Sequence, residues 1–148
     1  MRIGDHIPDF TLPDQDWNNV STLDLIGDPL VIYFYPKDDT PGCTKQACSF
    51  RDQYHVFEEA GATVLGVSSD TPEEHRSFQS KHRLPFKLLS DKKGNLRKKF
   101  GVESHLLGLI PGRETFIFDK SGKLVHRFNS QTRATQHITE AIEALQEV

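Results

Sequence analysis

Cys43 and Cys48 are the only thiols in this chain of 148 residues, and they stand five positions apart. Thiols spaced this closely could carry out redox chemistry or supply half of a metal site. They do not form a disulfide framework, because a bridge between them closes almost no loop. Cys43 follows the loop PKDDTPG at 36–42 and stands where a helical pattern begins. The unpaired N–H groups and the dipole of a helix N-terminus favour negative charge. They therefore favour the thiolate, the nucleophilic form of cysteine, and the same backbone can cradle an oxygen atom. Thr40, three residues earlier, adds a hydroxyl that donates to one partner while accepting from another. Pro36 and Pro41 restrict the loop between them. The rival reading is structural: Cys43 is a small buried apolar residue on one stripe with Ala47 and Phe50.

Cys48 points elsewhere. Five residues along a helix amount to about 140° of rotation and roughly 7.5 Å of rise, which separates the two Cα atoms by roughly 8–9 Å. A disulfide needs Cα atoms within about 7 Å. Any bridge between Cys43 and Cys48 therefore requires the first turns of the helix to unwind. A spectator thiol on the helix flank is the alternative for Cys48. A zinc half-site would need two further ligands. The seven histidines, at 6, 55, 75, 82, 105, 126 and 137, show no metal-ligand spacing, so no metal is expected.

The elements that must position these residues follow from hydrophobic periodicity. Residues 30–35 (LVIYFY) form a continuous apolar run suited to a strand buried on both faces. Cys43, Ala47, Phe50, Tyr54 and Phe57 lie at steps of four and three, which predicts a single helix ending near Gly61. Residues 63–68 (TVLGVS) read as the next buried strand, completing a parallel crossover. Thr71-Pro72-Glu73-Glu74 opens a second helix through a capping box, and it should stop near His82. A short strand at 86–89 and a basic helical stretch at 91–99 come next. The segments 115–119 and 123–128 flank Lys120-Ser121-Gly122 as a hairpin. Ala134, Ile138, Ala141, Ile142 and Leu145 then mark a closing amphipathic helix. The order predicts an α/β, thioredoxin-like fold with a central mixed β-sheet flanked by helices, as a single domain over 1–148.

Eighteen basic and twenty-one acidic residues leave a net charge of -3, which argues against a general nucleic-acid or membrane-surface binder. The cluster Lys92, Lys93, Arg97, Lys98 and Lys99 reads as the solvated face of an exposed helix. The longest apolar run, Leu30 to Tyr35, is too short to span a bilayer. No apolar signal segment follows Met1. The expected location is cytoplasmic, with a plastid reserved for a chain whose transit peptide was removed before this numbering.

Pro36, Thr40 and Cys43 in PKDDTPGC match the Pro-x-x-x-Thr-x-x-Cys signature of peroxiredoxins. Continued through TKQACSFRD, the segment resembles the peroxiredoxin Q branch, also called the bacterioferritin comigratory protein family. The likeness extends to GDHIPDFTLPDQD, GVSSDTPEEH, LPFKLLSD and PGRETFIFD, and so covers nearly the whole chain. FGVESHLLGLIPGRETFIFDKSGKL is closer to the cyanobacterial and chloroplast form than to the enteric one.

The resemblance implies a thiol peroxidase acting on hydrogen peroxide and organic hydroperoxides, with no cofactor and no metal. Cys43 matches the peroxidatic cysteine, which becomes a sulfenic acid. Thr40 matches the residue that positions the peroxide, Pro36 the one that shields the pocket, and Arg113 a distant arginine that returns to the site. Cys48 matches the resolving cysteine, which forms an intramolecular disulfide for thioredoxin or a similar dithiol to reduce. A monomer is implied. Two positions depart from the pattern: Gln46 replaces the common glutamate, and Trp17 replaces a glycine in an early turn. Two other functions compete. A thiol–disulfide oxidoreductase would use Cys-x-x-Cys, which is absent; a non-catalytic interaction domain on the same scaffold is not excluded by fold.

Overall fold

In the computed structural model, which describes residues 1–105 and 110–148, the chain opens with strands β1 (Thr11–Pro13) and β2 (Asn19–Ser21) and a short helix α1 (Thr22–Leu25). Then come β3 (Leu30–Phe34), α2 (Pro41–Asp52), α3 (Tyr54–Glu59), β4 (Thr63–Ser68), α4 (Pro72–His82) and β5 (Lys87–Ser90). The remainder is α5 (Asn95–Phe100), β6 (Ser104–His105), β7 (Ile110–Pro111), β8 (Glu114–Phe118), β9 (Leu124–Asn129) and α6 (Gln136–Leu145). Residues 106–109, the LLGL of the chloroplast-like segment, lie outside the described residues.

The central sheet runs β5-β4-β3-β8-β9. β3, β4 and β5 are parallel, while β8 is antiparallel to both β3 and β9. This is the mixed sheet of a thioredoxin-like fold. Because strand side chains alternate, β3 feeds two cores at once. Val31, Tyr33 and the following Tyr35 join Phe50, Phe57 and Phe78 on one face. Leu30, Ile32 and Phe34 join Leu65, Phe100 and Phe116 on the other. Every residue of β3 is buried, as its continuous apolar run requires.

Three local features differ from the sequence expectation. The helix after Cys43 is broken at Gln53 (φ −104°, ψ 11°), so that Phe57 is buried from a second helix. The pattern of fours and threes continues across the break and hides it. The β1–β2 hairpin has strands of three residues, too short to carry a period of two. Its turn is held by Asp14 Oδ1, which accepts from the N–H groups of Asp16 and Asn18. Trp17 sits in that turn at φ +64°, the left-handed region that favours glycine.

The third difference is Arg97. It is buried, unlike exposed Lys92, Lys93, Lys98 and Lys99 around it. α5 begins where Asp91 accepts from the N–H groups of Leu96 and Arg97, and this start turns the Arg97 side chain inward. Composition alone does not separate one inward cation from four outward ones.

Candidate active site

β3 ends at Phe34, and Tyr35-Pro36 lead off the sheet into the loop before α2. Thr40 is the extended N-cap residue of α2 (φ −83°, ψ 151°), and Pro41 takes the first helical position, where no N–H is needed. Cys43 therefore lies in the first turn of a twelve-residue helix, with its side chain 1% exposed. Ala47 and Phe50 continue its stripe into the core. Cys43 is thus both a core residue and a thiol at a helix N-terminus. The two readings of its sequence position describe one placement.

The loop is clamped from behind by groups whose spacing in the sequence carries no signal. Tyr35 donates its hydroxyl to Asp38 Oδ1 at 2.5 Å, and Asp38 Oδ2 lies 2.6 Å from His75 Nδ1 on α4. His75 Nε2 faces the carbonyl of Leu89 at 3.0 Å, so it must carry the proton there. The Asp38 N–H donates to Asp70 Oδ2, which also accepts from Ser68 Oγ. Burial pushes the Asp38 carboxyl up from its ordinary value, and the His75 hydrogen bond and charge pull the other way. Asp38, Asp70 and His75 lie close enough to ligate a metal; Asp38 and His75 already pair with each other, with the Tyr35 hydroxyl and with Leu89 O, and Asp70 Oδ2 is taken by the Asp38 N–H and the Ser68 hydroxyl. Thr40 is half-buried, and its hydroxyl donates to Lys37 O at 2.8 Å, which leaves its lone pairs for another donor. Pro36 is half-buried at the loop's start.

Arg113 reaches Cys43 through the register of the sheet. β3 and β8 pair with Phe34 opposite Glu114, so the residue before Glu114 falls beside the start of the loop. The guanidinium is buried and spends its donors in three directions. Nη2 lies 3.4 Å from Cys43 Sγ, Nη1 donates to Gln46 Oε1 at 2.5 Å, and Nε donates to Gln131 O at 3.2 Å. Gly42 makes the approach possible: a Cβ there would stand 3.0 Å from Arg113 Nη2. The carbonyl end of the Ser130–Gln131 loop is fixed by His137, whose Nε2 donates to Ser130 O while Nδ1 accepts from the Thr115 hydroxyl. Burial holds His137 down at about 4.

A sulfur at a helix N-terminus, beside a permanent cation and shielded from bulk water, is placed to attack an electrophile. The structure brings Cys43, Arg113 and Gln46 together. Cys48 lies further along the intact α2, half-buried, and both thiols are free. Residues that the sequence reading missed are Asp38, Asp70, His75, Arg97 and His137. His75 and His137 show no metal-ligand spacing in the sequence, and their side-chain partners Asp38 and Thr115 lie 37 and 22 residues away.

Residues 3–127 match the AhpC/TSA family. Among curated proteins, the chain is 50% identical over 139 residues to chloroplastic peroxiredoxin Q of Gentiana triflora, covering 94% of this chain and 64% of that one. It is equally identical over the same length to the chloroplastic peroxiredoxin Q of Sedum lineare, covering 75% of the relative. The chain thus spans about two thirds to three quarters of these relatives' lengths. Among solved structures, Mycobacterium tuberculosis peroxidoxin BcpB superposes with a TM-score of 0.92 at 36% identity, over 100% of this chain and 98% of that one. The Xanthomonas campestris bacterioferritin comigratory protein, whose alkyl peroxide reduction activity is described, superposes with a TM-score of 0.86 at 31% identity, over 93% and 90%.

Proposed function

The chain belongs to the AhpC/TSA family, in its peroxiredoxin Q branch, and from that membership we propose that it is a thiol peroxidase reducing hydrogen peroxide and organic hydroperoxides. The observation that carries the reading is the buried Cys43 sulfur 3.4 Å from the Arg113 guanidinium at the start of α2. The Cys43 thiolate attacks one peroxide oxygen. An S–O bond forms, the O–O bond breaks, and the departing oxygen takes a proton to leave as water or alcohol. Cys43 is left as a sulfenic acid. Arg113 stabilises both the thiolate and the charge growing on the leaving oxygen. Thr40, with its own proton given to Lys37 O, accepts from the peroxide O–H and orients it, while Pro36 keeps water out.

Cys48 then attacks the Cys43 sulfenic sulfur, releasing water and forming an intramolecular disulfide. Both residues lie on α2, so this step requires the first turns of the helix to unwind. Thioredoxin or a similar dithiol restores the two thiols by exchange. No metal or organic cofactor takes part in these steps, and the intramolecular resolution lets a monomer complete the cycle.

The test is the intact mass of the reduced protein seconds after one equivalent of hydrogen peroxide. A loss of two hydrogens that disappears in Cys43→Ser is the expected result. A gain of oxygen on Cys43 would retain the peroxidatic step and remove Cys48 as the resolving thiol. An unchanged mass would sink the peroxidase reading in favour of an interaction domain.

A further inference from the structure

We infer that Arg97 is a positioning residue of this site: its buried guanidinium ties the segment that carries Arg113 to the start of the loop that leads into α2 and Cys43. The inference rests on the peroxidase reading for its consequence, though not for its geometry. Arg97 Nη2 donates to Tyr35 O at 3.1 Å, the carbonyl immediately before Pro36. Its Nη1 donates to Gly112 O at 2.9 Å, the carbonyl immediately before Arg113. These carbonyls lie just past the paired ends of β3 and β8, where the last register pair is Phe34 with Glu114. The pairing of β3 with β8 stops there, although the Tyr35 N–H still donates to Val67 O on β4 and Arg113 O still accepts from the Ser130 N–H, and the guanidinium spans the gap between the two segments.

The surroundings make the tie specific. Arg97 stands 5.9 Å from the centroid of the Phe34 ring, on the opposite side of β3 from the core that holds Cys43. Gly112 is pressed against the neighbouring backbone so closely that a Cβ would collide with Glu103 O. The Gly112 carbonyl therefore has little freedom to follow a displaced partner. Burial pushes the Arg97 guanidinium down from its ordinary value, and Asp91 and the Cys43 sulfur push it back up. The cation is thus electrically in reach of the site without donating to the sulfur. A lysine presents one nitrogen in place of a planar fork, and a neutral side chain leaves two carbonyls unpaired.

The tie predicts coupling between Arg97 and Arg113. If Arg97 acts by holding the Arg113 segment in place, its removal matters only while Arg113 is present. Four full-length proteins, each in a Cys48→Ser background, test this: the parent, Arg97→Met, Arg113→Met and the double variant. Two readouts are taken on each. One is the second-order rate of Cys43 oxidation by hydrogen peroxide; the other is the rate of Cys43 alkylation by iodoacetamide, which uses no peroxide. The expected result is a slowing of about tenfold for Arg97→Met, with the double variant within about twofold of Arg113→Met. Additive losses, or an unchanged Arg97→Met rate alongside a lowered melting temperature, would overturn the inference and leave Arg97 a purely structural cation. If Arg97→Met does not fold, Arg97→Lys takes its place in the same cycle with the same criterion. If the parent fails to reduce peroxide, the peroxidase reading falls, while alkylation still reports whether the two arginines are coupled.

Discussion

Arg113 and Gln46 meet with a fixed polarity: the guanidinium can only donate, so the amide turns Oε1 toward it at 2.5 Å. Gln46 Nε2 is left buried, with no hydrogen-bond partner among the described residues. A neutral amide leaves the full Arg113 charge directed at Cys43, whereas a glutamate would share it.

Gln46→Glu should therefore slow Cys43 oxidation by hydrogen peroxide several-fold, while raising stability by about 1 kcal/mol as an orphaned N–H is replaced by a paired carboxylate. Stopped-flow oxidation and thermal unfolding of the same preparation check both signs. A faster reaction would mean that the guanidinium charge at Cys43 is not diluted by a carboxylate.

Gly42→Ala places a methyl group 3.0 Å from Arg113 Nη2, where only a shift of the guanidinium makes room. Alanine also favours the helix by up to about 1 kcal/mol over glycine. Activity and stability should part company: peroxide oxidation falls about tenfold while the melting temperature holds or rises. A retained rate would show that Arg113 can yield without cost.

His75 is fully buried, and its removal takes from Asp38 Oδ2 the imidazole that lies 2.6 Å from it. His75→Ala should cost about 3 kcal/mol, as expected for leaving a buried hydrogen-bonding group without its partner. His6→Ala, at an exposed position, should cost under about 0.5 kcal/mol. Urea unfolding of both variants makes the comparison.

His137 titrates near 4 in the folded chain against 6.5 in the unfolded one, because burial opposes its charge and Arg113 adds repulsion. Between those two values the unfolded state binds more protons, so stability rises with pH and is lost as pH falls from about 6.5 to about 4. The full window is worth about 3 kcal/mol at about 1.4 kcal/mol per pKa unit. His137→Gln can still donate to Ser130 O but does not titrate. Its urea-unfolding stability should lose less than the parent's between pH 7 and pH 4.5. Equal losses would assign the acid sensitivity to other groups.

Much of the scaffold was legible because its signals are local. The apolar run at 30–35 means burial on both faces wherever the strand ends up, and β3 is buried at every position. Thr71-Pro72-Glu73-Glu74 caps α4 through bonds within four residues, and the capping box is present with Thr71 accepting from the Glu74 N–H. Pro41 and the stripe through Ala47 and Phe50 likewise put Cys43 in the first turn of a helix. The five-residue gap means, from helix geometry alone, that any bridge from Cys43 to Cys48 would require unwinding.

The tertiary structure decided what no period can encode. The break at Gln53 is invisible because both helices keep the same buried face. Residue type and spacing did not separate Arg97 from the exposed lysines of its cluster, since only the Tyr35 and Gly112 carbonyls, contributed by other elements, give its charge a place inside. His75 gains its meaning from the Asp38 carboxylate 37 residues away, and His137 from the Thr115 hydroxyl 22 residues away. The sequence, through family likeness, pointed to Arg113, but its distance from Cys43 depends on β8 pairing with β3 in one register. Side-chain periodicity reports which face of an element is buried; strand order and register choose which distant residue it is buried against.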